Sequence, residues 1–148
     1  MMPASFQLDV VTPDRTIFSG EVASLVAPGT EGYLGVLADH APLLTGLAIG
    51  EARATTPDGQ DIYFAVAGGF LEVADNRATL LADAAERADQ IDVARAEVAR
   101  QRAEEARAAS AHGEPQFVAA EAALHRALNR LQVAREHGGA REPNPRAS

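Results

Sequence analysis

The residues of this chain best suited to bind a ligand are arginines in its alanine-rich second half. Asp92 and Arg95 lie three residues apart, and Arg126 and Arg130 lie four apart, so each pair shares one face of a helix. Planar guanidinium groups donate several hydrogen bonds and match phosphate oxygens. The pattern leaves two interpretations open: a solvated face with ordinary ion pairs, or a cluster that binds a polyanion.

The charge of the whole chain is acidic. All 13 basic residues are arginine, and with 21 acids the formal net charge is -8 at pH 7. This balance argues against non-specific nucleic-acid binding and against polybasic attachment to anionic lipid. The acidic excess lies in residues 1–85, whereas ten arginines balance ten acids in residues 86–148. A local cationic site is therefore compatible with the second half.

Other residue patterns give no organised chemistry. Glycines stand at every third position of segment 29–35, but no lysine, serine or threonine follows them as in a phosphate loop, so the segment favours a tight turn between strands. The histidines at 40, 112, 125 and 137 have no metal-ligand spacing, so we predict no metal site. A triad of Ser19 or Ser24 with His40 and Asp39 has no nucleophile-elbow sequence around either serine. Nothing in these residues demands catalysis, and we predict no catalytic residues.

The elements that position the arginines follow from two different periodicities. Residues 6–81 alternate apolar and polar positions, with turn residues about every ten positions, which predicts an all-β sandwich or barrel over 1–85. Residues 88–137 contain 15 alanines, a composition that favours helix. The sequence therefore predicts an α+β fold, with an N-terminal β-sandwich or barrel followed by a two-helix antiparallel hairpin over 86–139. Residues 140–148 are expected to form a frayed tail.

Local signals set the ends of the two helices. We expect Asp89 to be the N-cap of the first helix. The negative charge of Asp92 should interact favourably with the positive, N-terminal end of the helix dipole. The segment 110–113 breaks the helical run, and Pro115 suits the first turn of a second helix.

The second helix carries an apolar seam on one side, formed by Phe117, Leu124, Leu128 and Leu131. Arg126 and Arg130 are expected on the side away from this seam. Large apolar residues are few in the hairpin. We therefore expect the sheet domain, a partner or a ligand to add to its stability.

The chain lacks cysteine and any stretch of about 18 apolar residues, so we expect no disulfide and no membrane-spanning helix. Its first residues lack the basic region of a signal peptide. These features favour a cytoplasmic protein.

Five segments resemble, in order and spacing, the epsilon subunit of the rotary F-type ATP synthase, called delta in mitochondria. They are LDVVTPDR at 8–15, GYLGVL at 32–37, HAPLL at 40–44, GGFLEV at 68–73 and LLAD at 80–83. The resemblance implies a sandwich of about ten strands and a non-catalytic role in the central stalk. It implies contacts with the gamma shaft, the membrane ring of c subunits and, through the hairpin, the catalytic alpha/beta head. It also implies a peripheral location on the cytoplasmic face of the cell membrane.

A narrower resemblance concerns regulation by nucleotide. The segment from Ile91 through Asp92 and Arg95 to Ala96 is similar to the I/L-D-x-x-R-A motif with which some bacterial epsilon subunits bind ATP. In those proteins a glutamate five residues earlier and two arginines of an R-A-x-N-R segment contribute. The matching residues here are Glu86, Arg126 and Arg130. The resemblance thus implies ATP as a regulatory ligand, with no other cofactor.

The family's contact with the ring implies that the loop at Glu31 and the segment at His40 are exposed at one end of the sandwich. Two other classes stay open from the residues alone. One is an adaptor whose hairpin forms a coiled coil with another protein, and the other is a small sandwich hydrolase.

Overall fold

The computed structural model describes residues 4–138, and the predicted tail at 140–148 lies outside them. The chain divides after Arg87 into two compact units, an N-terminal β unit and a C-terminal helical unit. The last strand extends two residues beyond the predicted domain end at residue 85.

Over the described residues from 4 onward, the β unit consists of one seven-stranded sheet in the order β2-β1-β7-β6-β5-β3-β4. All neighbouring pairs are antiparallel except β1 and β7, which are parallel. The strands are β1 (Phe6–Val11), β2 (Thr16–Val22), β3 (Ser24–Gly29), β4 (Gly32–Leu37), β5 (Leu43–Thr55), β6 (Asp61–Ala74) and β7 (Arg77–Arg87).

This sheet folds over onto itself to enclose its core. In the sheet order two strands separate β2 from β6, which in a flat sheet would place them about 14 Å apart. Nevertheless, the rings of Phe18 in β2 and Phe64 in β6 meet edge to face, with centroids 5.9 Å apart. The buried side chains of all seven strands accordingly form one apolar cluster. The predicted β-sandwich is confirmed.

The long strand β6 bends where the alternation of inward-facing and outward-facing residues shifts by one position. Phe64 and Val66 are buried before the bend and Leu71 after it, so the buried side moves from even to odd positions. Gly68 and Gly69 lie at the change, with φ of +76° and +113°. Residues other than glycine rarely adopt such positive φ values. The glycine pair therefore inserts the irregularity that turns the strand.

The same one-residue shift occurs at the facing positions of the neighbouring strands, β5 and β7. Buried positions move from odd to even between Leu47 and Gly50 in β5, and from even to odd between Ala82 and Ala85 in β7. Each of the three long strands therefore contributes to both halves of the sandwich. The expected number of about ten strands is corrected to seven. A long strand in which the buried side shifts by one residue gives the same sequence pattern as two short strands.

The helical unit contains α1 (Val93–Ala108) and α2 (Pro115–Val133), which pack against each other across the connection at 109–114. A 3₁₀ turn, Ala88–Gln90, precedes α1, and a π-helical turn, Ala134–Gly138, follows α2. Pro115 stands in the first turn of α2 as predicted. The two-helix region is confirmed.

The two helices contribute unequally to their contact. The buried residues of α1 are Ala96 and Ala103, whereas α2 buries larger side chains, among them Phe117, Leu124 and Leu131. Leu128, which the sequence places in the same apolar seam, is 46% exposed.

At the connecting end, an aromatic cluster closes the hairpin. The His112 ring lies on Phe117 with centroids 4.4 Å apart, and the Arg107 guanidinium carbon is 6.0 Å from the same ring. The largest side chain of the interhelical contact is thus held at the tip.

Within residues 4–138, no helix is both long enough and apolar enough to cross a membrane.

We predict that Gly69→Ala destabilises the β unit. A Cβ at residue 69 would overlap the Leu81 carbonyl oxygen. This overlap adds to the roughly 1–3 kcal/mol that a non-glycine residue costs at such a φ. Thermal unfolding of the full chain followed by circular dichroism measures the effect.

Gly35→Ala is the matched control, because no atom lies within 4 Å of its Cβ position and its φ is not in the left-handed region. The control should melt within a few degrees of the parent chain. Equal melting temperatures for the two variants would contradict the proposed role of Gly69.

Candidate functional site

A groove on the helical unit brings several of the predicted ligand-binding residues together. Its volume is about 450 Å³, within the range of small-molecule sites. Its lining comes from the first three turns of α1 and from one residue of α2: Asp92, Ala94, Arg95, Val98, Ala99, Arg102 and Arg130. One carboxylate and three guanidinium groups give the groove a net positive charge.

Asp92 is the N-cap of α1. Its backbone is extended (φ −82°, ψ 99°), and its Oδ1 accepts a hydrogen bond from the Arg95 amide at 3.0 Å. The predicted cap at Asp89 is wrong, since Asp89 lies in the preceding 3₁₀ turn. The three-residue spacing of Asp92 and Arg95 is therefore the spacing of an N-cap and the backbone amide that it binds.

The arginines of α1 divide into two sets. Arg100 donates from Nε to Glu97 and from Nη1 to Glu104, both at 2.7 Å, and these bonds raise the pKa of Arg100. Arg95 and Arg102 lie seven residues apart on another side, where both line the groove. Across residues 4–138, no acidic side chain forms an ion pair with either of these two guanidinium groups. They can therefore bind a ligand anion without breaking an ion pair.

Sequence reasoning missed Arg102. The signal that would have found it is its distance of seven residues from Arg95, which is about two turns of helix and returns it to the same face.

The remaining predicted residues of the hairpin have other positions. Ala96 is fully buried in the contact with α2, and Ile91 is half-buried just before the cap. Arg126 is exposed and is not among the side chains that line the groove. Of the two arginines predicted on α2, the structure thus places Arg130 at the groove.

Glu86 belongs to the β unit rather than to the hairpin. It is half-buried in β7 and pairs in register with Ala65 of β6.

A second cavity, of about 430 Å³, lies along the edge strand β4 of the β unit, and Glu31 and His40 both line it. Glu31 is exposed and His40 half-buried, with the His40 Nδ1 2.7 Å from the Ala41 carbonyl oxygen. The two segments that the resemblance linked to the ring are therefore neighbours in space. The other lining residues come from segments 29–35 and 43–45.

One outer face of the sheet carries exposed apolar side chains. Phe70 pairs in register with Leu81, and Leu81 pairs in turn with Val11, so the three form one row across β6, β7 and β1. Phe70 is 56% and Leu81 46% exposed, and Leu44 on the adjacent β5 is 69% exposed. An exposed apolar row of this kind is typical of a protein–protein contact.

A hydrogen-bonded network borders this row on β1, β2 and β7. Asp9 accepts from Ser19 Oγ at 2.6 Å and from Gln7 Nε2 at 3.1 Å, and it pairs with Arg77 Nη1 at 2.6 Å. The Ser19 hydrogen bond is the largest cause that holds the pKa of Asp9 below its ordinary value, against an opposing effect of partial burial. The network fixes the polar edge of the apolar row.

The serine–histidine arrangement considered from the sequence is not formed in the part of the chain that is described. The Ser19 hydroxyl donates to Asp9, and the His40 ring lies against a backbone carbonyl.

Comparison with known proteins identifies the class to which this fold belongs. Residues 5–88 match the beta-sandwich domain, and residues 89–135 the long alpha-helix domain, of ATP synthase delta/epsilon chains. Together the two matches span residues 5–135 of this chain.

Individual relatives agree. The ATP synthase epsilon chain of Desulforamulus reducens is 49% identical over 133 residues, covering 90% of this chain and 99% of the relative. That of Pelotomaculum thermopropionicum is 60% identical over 99 residues, covering 67% and 73%. The chain belongs to the ATP synthase delta/epsilon family, as an epsilon chain.

The fold has a counterpart among solved structures. A chain of the Euglena gracilis mitochondrial ATP synthase superposes with a TM-score of 0.73 at 24% identity, covering 93% of this chain and 84% of that one.

Proposed function

We propose that this chain is a non-catalytic subunit of the central stalk of a rotary ATP synthase, and that ATP binds to its hairpin as a regulatory ligand. The observation that carries the nucleotide proposal is the groove in which Arg95, Arg102 and Arg130 converge. Their donors suit the oxygens of a polyphosphate, and hydrogen bonds between charged groups are the stronger kind.

The weak contact between the helices gives the ligand a regulatory effect. Because α1 buries only alanines against α2, the hairpin depends on stabilisation from outside that contact. A ligand that bridges Arg95 and Arg102 on α1 to Arg130 on α2 supports the closed hairpin. At 100 times its dissociation constant, such a ligand shifts the equilibrium by about 2.7 kcal/mol. When ATP falls, the hairpin opens toward the catalytic head and restrains ATP hydrolysis.

The β unit supplies the attachment to the rotor in this proposal. The apolar row of Phe70, Leu81 and Val11 contacts the gamma shaft. The cavity lined by Glu31 and His40 faces the ring of c subunits. The chain would then lie at the cytoplasmic face of the membrane as part of the complex. A coiled-coil adaptor is less well supported, because Phe117, Leu124 and Leu131 are buried within the hairpin itself.

Isothermal titration of the full chain with ATP tests the nucleotide site. Arg102→Ala and Arg130→Ala each remove a charged donor, a loss of about 1.5–3 kcal/mol, so each should weaken binding about tenfold or more. Arg126→Ala should have a smaller effect, because that side chain does not line the groove.

Arg53→Ala, at an exposed position of β5, is the control and should bind as the parent does. Absence of binding up to millimolar ATP would refute the nucleotide proposal. So would unchanged affinity in both groove variants.

Capture of purified gamma subunit by the full chain tests the sheet face. Phe70→Ser should weaken capture about tenfold, since burying a phenylalanine contributes roughly 1.5–3 kcal/mol. Pro57→Ser, in the exposed β5–β6 turn, serves as the control. Equal capture by the two variants would assign gamma to another surface.

A further inference from the structure

We infer that Asp92 is a positioning residue of the groove, which acts through Arg95 rather than by binding the nucleotide. This inference rests on the proposed nucleotide function and concerns how the site is held in place. The carrying observation is the hydrogen bond from the Arg95 amide to Asp92 Oδ1 at 3.0 Å.

The segment from Ile91 to Ala96 divides its tasks among its residues. Asp92 caps the helix, and Ala96, with no exposed surface, allows α1 to approach α2 closely. Arg95 contributes a guanidinium to the groove. The short segment thus builds the start of the helix and its contact with α2 around a single cationic side chain.

Electrostatics favours a role for Asp92 away from phosphate. Its carboxylate lines the same groove as three arginines, so it would repel the anion that the arginines attract. At the N-cap the same negative charge is favourable, because it lies at the positive end of the helix dipole. The charge of Asp92 therefore opposes phosphate binding. Its hydrogen bond to the Arg95 amide favours binding, because it holds the helix turn that carries the Arg95 guanidinium.

Arg95 needs this constraint because its helix has little else at that end. The first turn of α1 has Val93 and Ala94 exposed, and the first buried residue of the helix is Ala96. Without the cap, the turn that carries Arg95 would fray, since helix ends fray when their amides have no partner. The guanidinium would then sample many positions instead of one.

Three substitutions separate capping from charge. Asp92→Asn keeps a good cap and removes the charge, Asp92→Glu keeps the charge on a longer side chain outside the preferred N-cap set, and Asp92→Ala removes both. We expect Asp92→Asn to bind ATP as tightly as the parent chain or more tightly. Asp92→Glu and Asp92→Ala should bind about fivefold more weakly, the ratio that corresponds to a typical cap.

Titration calorimetry of the full chain at low temperature measures these affinities. Hydrogen exchange at the Arg95 amide reports the cap without nucleotide, and should stay slow in Asp92→Asn and become fast in Asp92→Ala. In an Arg95→Ala background, Asp92→Ala should produce no further loss of affinity, because the residue through which it acts is gone. A general loss of stability would not give this non-additivity.

Two results would overturn the inference while the nucleotide site stands. One is tight binding by Asp92→Glu together with weak binding by Asp92→Asn, which would mean direct contact through the charge. The other is additive losses in the double variant. A parent chain that does not bind ATP would overturn the proposed function and this inference together. If Asp92→Ala does not fold, the comparison of Asp92→Asn with Asp92→Glu still decides.

Discussion

The contact between α1 and α2 is the constraint on which the behaviour of the helical unit depends. One helix supplies alanine, Ala96 and Ala103, and the other supplies Phe117, Leu124 and Leu131. Small residues permit a close approach but bury little apolar surface, so the contact is weak for its length. The same asymmetry leaves the outer side of α1 to charged residues. A weak contact beside a line of arginines is an arrangement that an anionic ligand can stabilise.

Charge is distributed between the two units in a way that the net value of -8 conceals. The acidic excess belongs to the β unit, whose outer face combines an apolar row with the Asp9 network. In the helical unit, arginines and acids balance in number, but Glu97 and Glu104 are both engaged by Arg100. Arg95 and Arg102 are thereby left to the groove. A cationic site in an acidic protein follows from this local pairing.

Much of the architecture was predictable from periodicity, because alternation and alanine content report directly on strand and helix. The strand count was not, since a bend at Gly68 and Gly69 changes the phase within β6 and resembles a strand end. The sequence pattern fits both Asp89 and Asp92 as the N-cap, and only the extended backbone of Asp92 distinguishes them. Likewise, the four-residue spacing of Arg126 and Arg130 predicts that both lie on one side of α2. The spacing does not show that Arg130 is the one that lines the groove with α1.

The central claim is that ATP stabilises the hairpin by joining α1 to α2 through the groove. Hydrogen–deuterium exchange of the full chain, with and without saturating ATP, tests this most directly. The account predicts slower exchange along α1 and the facing part of α2, with the core strands of the β unit unchanged. Equal exchange rates in the helices with and without ATP, at concentrations where calorimetry detects binding, would contradict it.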